Sequence, residues 1–87
     1  MGKKRPPQVK EVHEILKKNS KQARRGAPFA KWRKEENRWE IGCAFFTSGT
    51  MFYYPSEDRW TFQMPYYEEK DSNYNRARGN AYCWYTG

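Results

Sequence analysis

Every phenylalanine, tyrosine and tryptophan in this chain lies at or after Phe29, and little else is present from which to build a core. Five Phe, seven Tyr and four Trp stand against one Leu, two Ile and two Val. So few branched aliphatics, with a net charge of +7, is a composition usually read as disordered. The rings reverse that reading, because each buries roughly 150–250 Å² and together they supply the apolar surface the missing leucines would have given. The chain of 87 residues has room for one small domain, since a polypeptide this short buries only about 60% of its unfolded surface.

Charge divides the chain as sharply as the rings do. Residues 1 to 34 hold twelve Lys and Arg against two acids, whereas residues 35 to 87 hold five against eight. A basic tail over 1–7 therefore precedes a single domain over 8–87. Pro6-Pro7 at one end and Arg24-Arg25-Gly26 at the other bracket a helix over 8–25, with proline at its start and glycine past its end. Val9, Val12, Leu16 and Ala23 share a stripe about 60° wide, with Asn19 and Ser20 filling its gaps. Lys10, Lys17, Lys21 and Arg24 form a row roughly 120° away, edged by Lys18 and Arg25.

Beyond Pro28 the period changes to two. Arg38 to Phe46 alternates, with Trp39, Ile41, Cys43 and Phe45 on one face, and Trp60, Phe62 and Met64 share a face in a later strand. An aromatic antiparallel sheet over 29–86 follows, with a polar loop at 68–80 and a last strand over Ala81 to Thr86. The expected fold class is α+β, a basic N-terminal helix packed on a small twisted antiparallel sheet of three to five strands. Glu36-Asn37-Arg38-Trp39-Glu40-Ile41 is echoed by Glu57-Asp58-Arg59-Trp60-Thr61-Phe62, which predicts two hairpins with Trp entering the sheet at one equivalent point.

The cations point to a polyanion. Lys3, Lys4, Arg5, Lys10, Lys17, Lys21, Arg24 and Arg25, helped by Lys31 and Arg33, are candidate ligands for nucleic-acid phosphates, where counterion release gives affinity without sequence readout. Trp32, Phe46, Tyr53, Tyr54, Tyr66 and Tyr67 are candidate stacking or interface aromatics. Alternation places Phe46, Met51 and Tyr53 on the sheet face opposite the core, and a one-residue slip would reverse that assignment. The resulting expectation is a small non-enzymatic nucleic-acid-binding module, DNA or RNA. The alternative is a protein-directed inhibitor or accessory regulator docking on an acidic or nucleic-acid-binding surface of a larger enzyme. A metal-independent RNase using Arg59, Arg76, Arg78 and Tyr82 is the remote third reading.

Other chemistries lack their residues. His13 is the single histidine, and Cys43 and Cys83 are forty residues apart, so neither a four-ligand metal site nor a CxxC redox pair is available, and no cofactor is expected. No Ser elbow, Cys-His pair or carboxylate pair is visible. No apolar run reaches about 18 residues, and the start is basic without an apolar segment, so an intracellular protein is expected, with no membrane span and no small-molecule substrate. Trp39, Gly49, Tyr53-Tyr54, Trp60 and Pro65 resemble a WW-domain pattern over less than a third of the chain, which would imply a proline-peptide groove. Only five residues separate Tyr54 from Trp60 and the Asn-His stretch is absent, so no family is assigned.

Overall fold

The computed structural model describes residues 4–23, 27–43, 49–63 and 69–83, with the side chains of 20–23 and 83 left aside. It is an α+β fold. Helix α1 (Pro7–Ala23) precedes strands β1 (Pro28–Arg33), β2 (Arg38–Cys43), β3 (Thr50–Tyr54), β4 (Arg59–Gln63) and β5 (Lys70–Ser72), and helix α2 (Tyr74–Cys83) follows. The strands form an open antiparallel meander in the order β1-β2-β3-β4-β5.

α1 starts where the prolines predict. Pro7 occupies the first helical position, where no backbone N–H is needed, and the Pro6 carbonyl accepts from the Lys10 amide at 3.0 Å. Val9, Val12 and Leu16 are fully buried, joined by Ile15 and His13 at 8% exposure each. Burying each of these aliphatic side chains contributes about 1.5–3 kcal/mol, so tertiary packing and not helix propensity holds α1 in place.

The echoed hexapeptides are a structural repeat. Each hairpin has a four-residue turn, at 34–37 and 55–58, closed by the same pair of backbone bonds: Glu36 N–H to Arg33 and Asn37 N–H to Lys34 in one, Glu57 N–H to Tyr54 and Asp58 N–H to Pro55 in the other. The fourth turn residue is left-handed in both, at φ 53° for Asn37 and 47° for Asp58. Asn and Asp are the non-glycine residues that best tolerate that region. Trp39 and Trp60 then enter the sheet at the equivalent point.

Register makes one cross-strand row of rings. Trp32 pairs Trp39, Trp39 pairs Tyr53, and Tyr53 pairs Trp60. Ring centroids are 5.7 Å apart for Trp32 and Trp39, 4.9 Å for Tyr53 and Trp60, and 6.0 Å for Trp60 and Tyr74 of α2. Both helices cover this face, α1 against β1 and β2 and α2 against β4, and they touch each other. Asn19 of α1 donates to the Ala81 carbonyl at 3.0 Å and to the Tyr82 carbonyl at 3.3 Å, satisfying carbonyls near the end of α2 that the helix itself leaves open.

Two expectations need correction. The described part of the expected loop, 69–80, holds an edge strand, Lys70–Ser72, and most of a helix, Tyr74–Cys83, so Ala81 to Cys83 is not strand either; 84–86 lie outside the described residues. Asn73 caps that helix, its Oδ1 accepting from the Arg76 N–H at 2.9 Å, so a helix starts inside the stretch expected as loop. Tyr74, Ala77 and Ala81 then dock at helical spacing, which overrides the strand preference of the Tyr and Trp residues nearby. The second correction concerns β3. Met51 pairs Ile41 and Phe62, and Tyr53 pairs Trp39 and Trp60, so both lie on the covered face. Phe45, Phe46 and Met64 lie outside the described residues, as does the C-terminal part of the predicted helix, Arg24-Arg25.

Candidate functional site

The two helices cover one side of the sheet and leave the other, called the open face here, and this divides the predicted site residues. On the outward side of α1, Lys10, Lys17 and Lys18 are exposed, as is Lys4 just before it. Two acids interrupt them. Glu14 accepts from Lys17 Nζ at 3.2 Å, and Glu11 forms an ion pair with Arg78 of α2, 2.9 Å from its Nε. The ion pairs are half-exposed and each is worth no more than about 1 kcal/mol, so a phosphate can compete for Lys17.

Lys31 and Arg33 are exposed too, but on the opposite side of the molecule. They stand on the sheet face that neither helix covers, with Arg33 Nε donating to Glu40 at 2.8 Å. That carboxylate holds the Arg33 guanidinium even more firmly protonated than usual. The tail and helix cations and the β1 cations therefore do not form one surface.

Arg5 has an internal role. Its guanidinium donates to the Ala30 carbonyl of edge strand β1 at 3.2 Å and contacts Nδ1 of His13 at 3.3 Å. This blunts the outer edge of the sheet, where an unpaired carbonyl would otherwise invite another strand. Lys3, Lys21, Arg24 and Arg25, like Phe46, Tyr66 and Tyr67, lie outside the described residues or side chains.

The aromatics also separate. Tyr53, expected as a stacking ring, is 5% exposed inside the core, its hydroxyl donating to Asp58 at 2.8 Å. Burial and that bond push its phenol up to about 12. Trp32 is half-buried at the end of the ring row and forms one wall of an open depression of about 540 Å³ shared with Arg33, Lys34 and three glutamates. Tyr54 is half-buried on the open face.

Sequence reasoning missed what surrounds Tyr54. Arg59 and Arg38, the arginines of the two echoed motifs, flank it, Arg59 as its cross-strand partner on β4 and Arg38 on β2 just before the Trp39–Tyr53 pair. Arg38 Nη1 donates to the Tyr54 hydroxyl at 2.6 Å and to Glu69 at 3.0 Å, while its guanidinium carbon lies 3.7 Å over the Phe52 ring. Arg59 sits 4.3 Å over the Tyr54 ring and bonds Asp71 at 2.6 Å, which reinforces its positive charge. Thr61 donates to Glu69 as well. The repeated Asn/Asp-Arg-Trp order carried this signal, because alternation sends Arg to one face wherever Trp goes to the other. Arginine, tyrosine and phenylalanine are here held in place, and every arginine on this face is matched by a carboxylate.

The remaining chemistry is sparse. Arg59 is on the open face while Arg76, Arg78 and Tyr82 are on α2 against the covered face, so the four residues of the RNase reading do not converge. Among the described residues no three His, Cys, Asp or Glu side chains come together as a metal site, and no helix is long and apolar enough to cross a membrane. Comparison with family models, curated proteins and solved structures finds no match for the chain.

Proposed function

We propose that the protein binds a nucleic-acid backbone along the outward side of α1 and the segment that leads into it. The observation that carries this reading is the division of labour on α1. Its apolar side is consumed by the core, and the side turned away from the sheet exposes Lys10, Lys17 and Lys18 next to Lys4. The positive excess of the chain lies in residues 1–34, with twelve Lys and Arg against two acids, and phosphate neutralisation uses such lysines without base contacts. The sheet arginines contribute less, since a phosphate arriving there must displace Glu40, Glu69 or Asp71.

Binding to a labelled oligonucleotide measured across ionic strength tests the proposal. The logarithm of the affinity is expected to fall linearly with the logarithm of salt, and Lys10→Glu with Lys17→Glu to flatten the slope by about two. An affinity that ignores salt, or a double variant with the wild-type slope, would overturn it. A second reading, a protein partner on the open sheet face, is favoured by one observation: Arg38, Arg59, Tyr54 and Phe52 are pre-ordered and already neutralised, so covering them strands no unpaired charge. Arg38→Ala with Tyr54→Ala separates the two, being silent in the nucleic-acid titration and disruptive to a protein complex that survives nuclease treatment.

A further inference from the structure

His13 is a titratable group that the phosphate-binding reading does not use, and it is placed unusually. Its ring is buried between α1 and β1 at 8% exposure, and its Nδ1 lies 3.3 Å from Arg5 Nη1. A guanidinium only donates, so Nδ1 is the acceptor in this contact and the neutral ring carries its proton on the buried Nε2. The same guanidinium holds the Ala30 carbonyl at 3.2 Å. One arginine thus joins the N-terminal segment, the helix and the sheet edge, and the joint requires an unprotonated histidine.

We propose that Arg5 and His13 form a pH-sensitive latch, closed while His13 is neutral and opened when it gains a proton, which frees Lys4 and Arg5 from the edge of β1. The proposal concerns regulation of the α1 surface, and in that respect rests on the phosphate-binding reading. Protonation at Nδ1 replaces an acceptor by a donor and sets an imidazolium against a guanidinium. The groups facing the ring do not rescue it: Arg5 from the N-terminal segment and Lys17 from α1 oppose the added charge, while Glu14 on α1 and the Pro28 backbone on β1 favour it. Desolvation by burial is the largest effect and also opposes it, so the His13 pKa is held below its usual 6.5.

Because the closed state takes up the proton less readily, the latch is at full strength above about pH 6.5 and weakens as pH falls from there toward the lowered value. Opening adds Arg5 to the cations available to a phosphate. The structure therefore assigns to mild acid a tighter, more salt-sensitive grip on nucleic acid.

NMR of the protein without nucleic acid tests the latch, the single histidine making the ring signal unique. Across a titration from neutral to acid, the His13 ring is expected to titrate below 6.5, and the heteronuclear NOEs of the Lys4 and Arg5 amides to fall through the same midpoint. Arg5 is exposed, so Arg5→Gln leaves the core in place; it should raise the His13 midpoint toward 6.5 and leave the NOEs low at every pH. His13→Gln, if it folds, keeps a neutral acceptor and should hold the NOEs high throughout. Rigid Lys4 and Arg5 amides while His13 titrates, or one His13 midpoint in wild type and Arg5→Gln, would overturn the latch. Since no nucleic acid is present, these results are independent of the binding reading. A working latch with salt-insensitive binding at every pH counts against the binding reading alone, and a working latch with salt-sensitive binding whose slope does not change between neutral and acid pH overturns the part given to Arg5 in the grip.

Discussion

The two faces of the sheet use the same strands and the same residue types to opposite ends. On the covered face Trp39, Tyr53 and Trp60 are at most 5% exposed, and their energy comes from area removed from water. The indole N–H groups of Trp39 and Trp60 have no partner among the described residues, so the packing tolerates an unmet polar cost. On the other face the rings of Phe52 and Tyr54 are covered by guanidinium groups that also bond carboxylates and the Tyr54 hydroxyl, while the Nε atoms of Arg38 and Arg59 have no partner among the described residues. One face is held by burial under the two helices; on the other Phe52 and Thr61 are buried too, beneath side chains that pair by charge. The first should dominate stability, whereas the second sets what the surface can recognise.

The largest test of that contrast is truncation of a core ring. Trp60→Ala is expected to cost about 3–5 kcal/mol in urea unfolding, enough to approach the whole stability of a domain this size. Arg59→Ala on the neighbouring position should cost far less, and what effect it has should vanish at high salt. Comparable costs for the two would mean that the open face is as structural as the covered one.

The repeated turns sharpen the comparison. Asn37→Ala places a Cβ-bearing side chain without local hydrogen bonding in the left-handed region and should cost about 1–2 kcal/mol, whereas Asn37→Gly should be nearly neutral. Asp58→Ala should cost about 1 kcal/mol more than Asn37→Ala, because it also removes the acceptor of the buried Tyr53 hydroxyl. Equal losses in the two turns would mean that this bond contributes nothing.

Alkaline titration reads the same phenol. With its folded pKa raised to about 12 from 10.0, Tyr53 keeps its proton in the folded state after the unfolded chain has lost it. Stability linked to Tyr53 is thus complete below about pH 10 and declines as pH rises toward 12. Absorbance near 295 nm should show an ionisation near pH 12 that is missing in Tyr53→Phe. The smallest effect belongs to α2, where a Cβ built on Gly79 meets nothing within 4 Å. Gly79→Ala should stabilise by about 0.5–1 kcal/mol in thermal or urea unfolding, and a loss would mean that α2 needs the glycine for another contact.

What could be read from the chain depended on how far apart the interacting residues are. The α1 stripe of Val9, Val12 and Leu16 and the four-residue turns before Trp39 and Trp60 are local patterns, and the structure has them where the spacing puts them. α2 was misread because tyrosine and tryptophan suggest a strand, while the Asn73 cap and the Ala77–Ala81 spacing that oppose them are short signals. β3 was misread by one residue. Its apolar residues Met51, Phe52 and Tyr53 are consecutive, so alternation cannot choose which of them faces the core. Among the candidate ligands, the exposure of Lys10 and Lys17 was legible from helical period alone. The tie between Arg5 and Ala30 spans 25 positions and that between Arg38 and Glu69 spans 31, and no local pattern announces either.

The sequence by itself determined the split between a cationic, ring-free N-terminal third and an aromatic sheet, together with both hairpin turns and the apolar side of the first helix. These follow from local backbone preference and from the period of a single element. Only the tertiary structure decided which face of the sheet the helices cover, and with it that Tyr53 is core, that Lys31 and Arg33 lie across the sheet from Lys10 and Lys17, and that Arg5 is engaged with His13 and the β1 edge. A strand has two faces related by a single step in register. The choice between them is made by pairing and helix docking between residues distant in the chain, which is information no one segment contains.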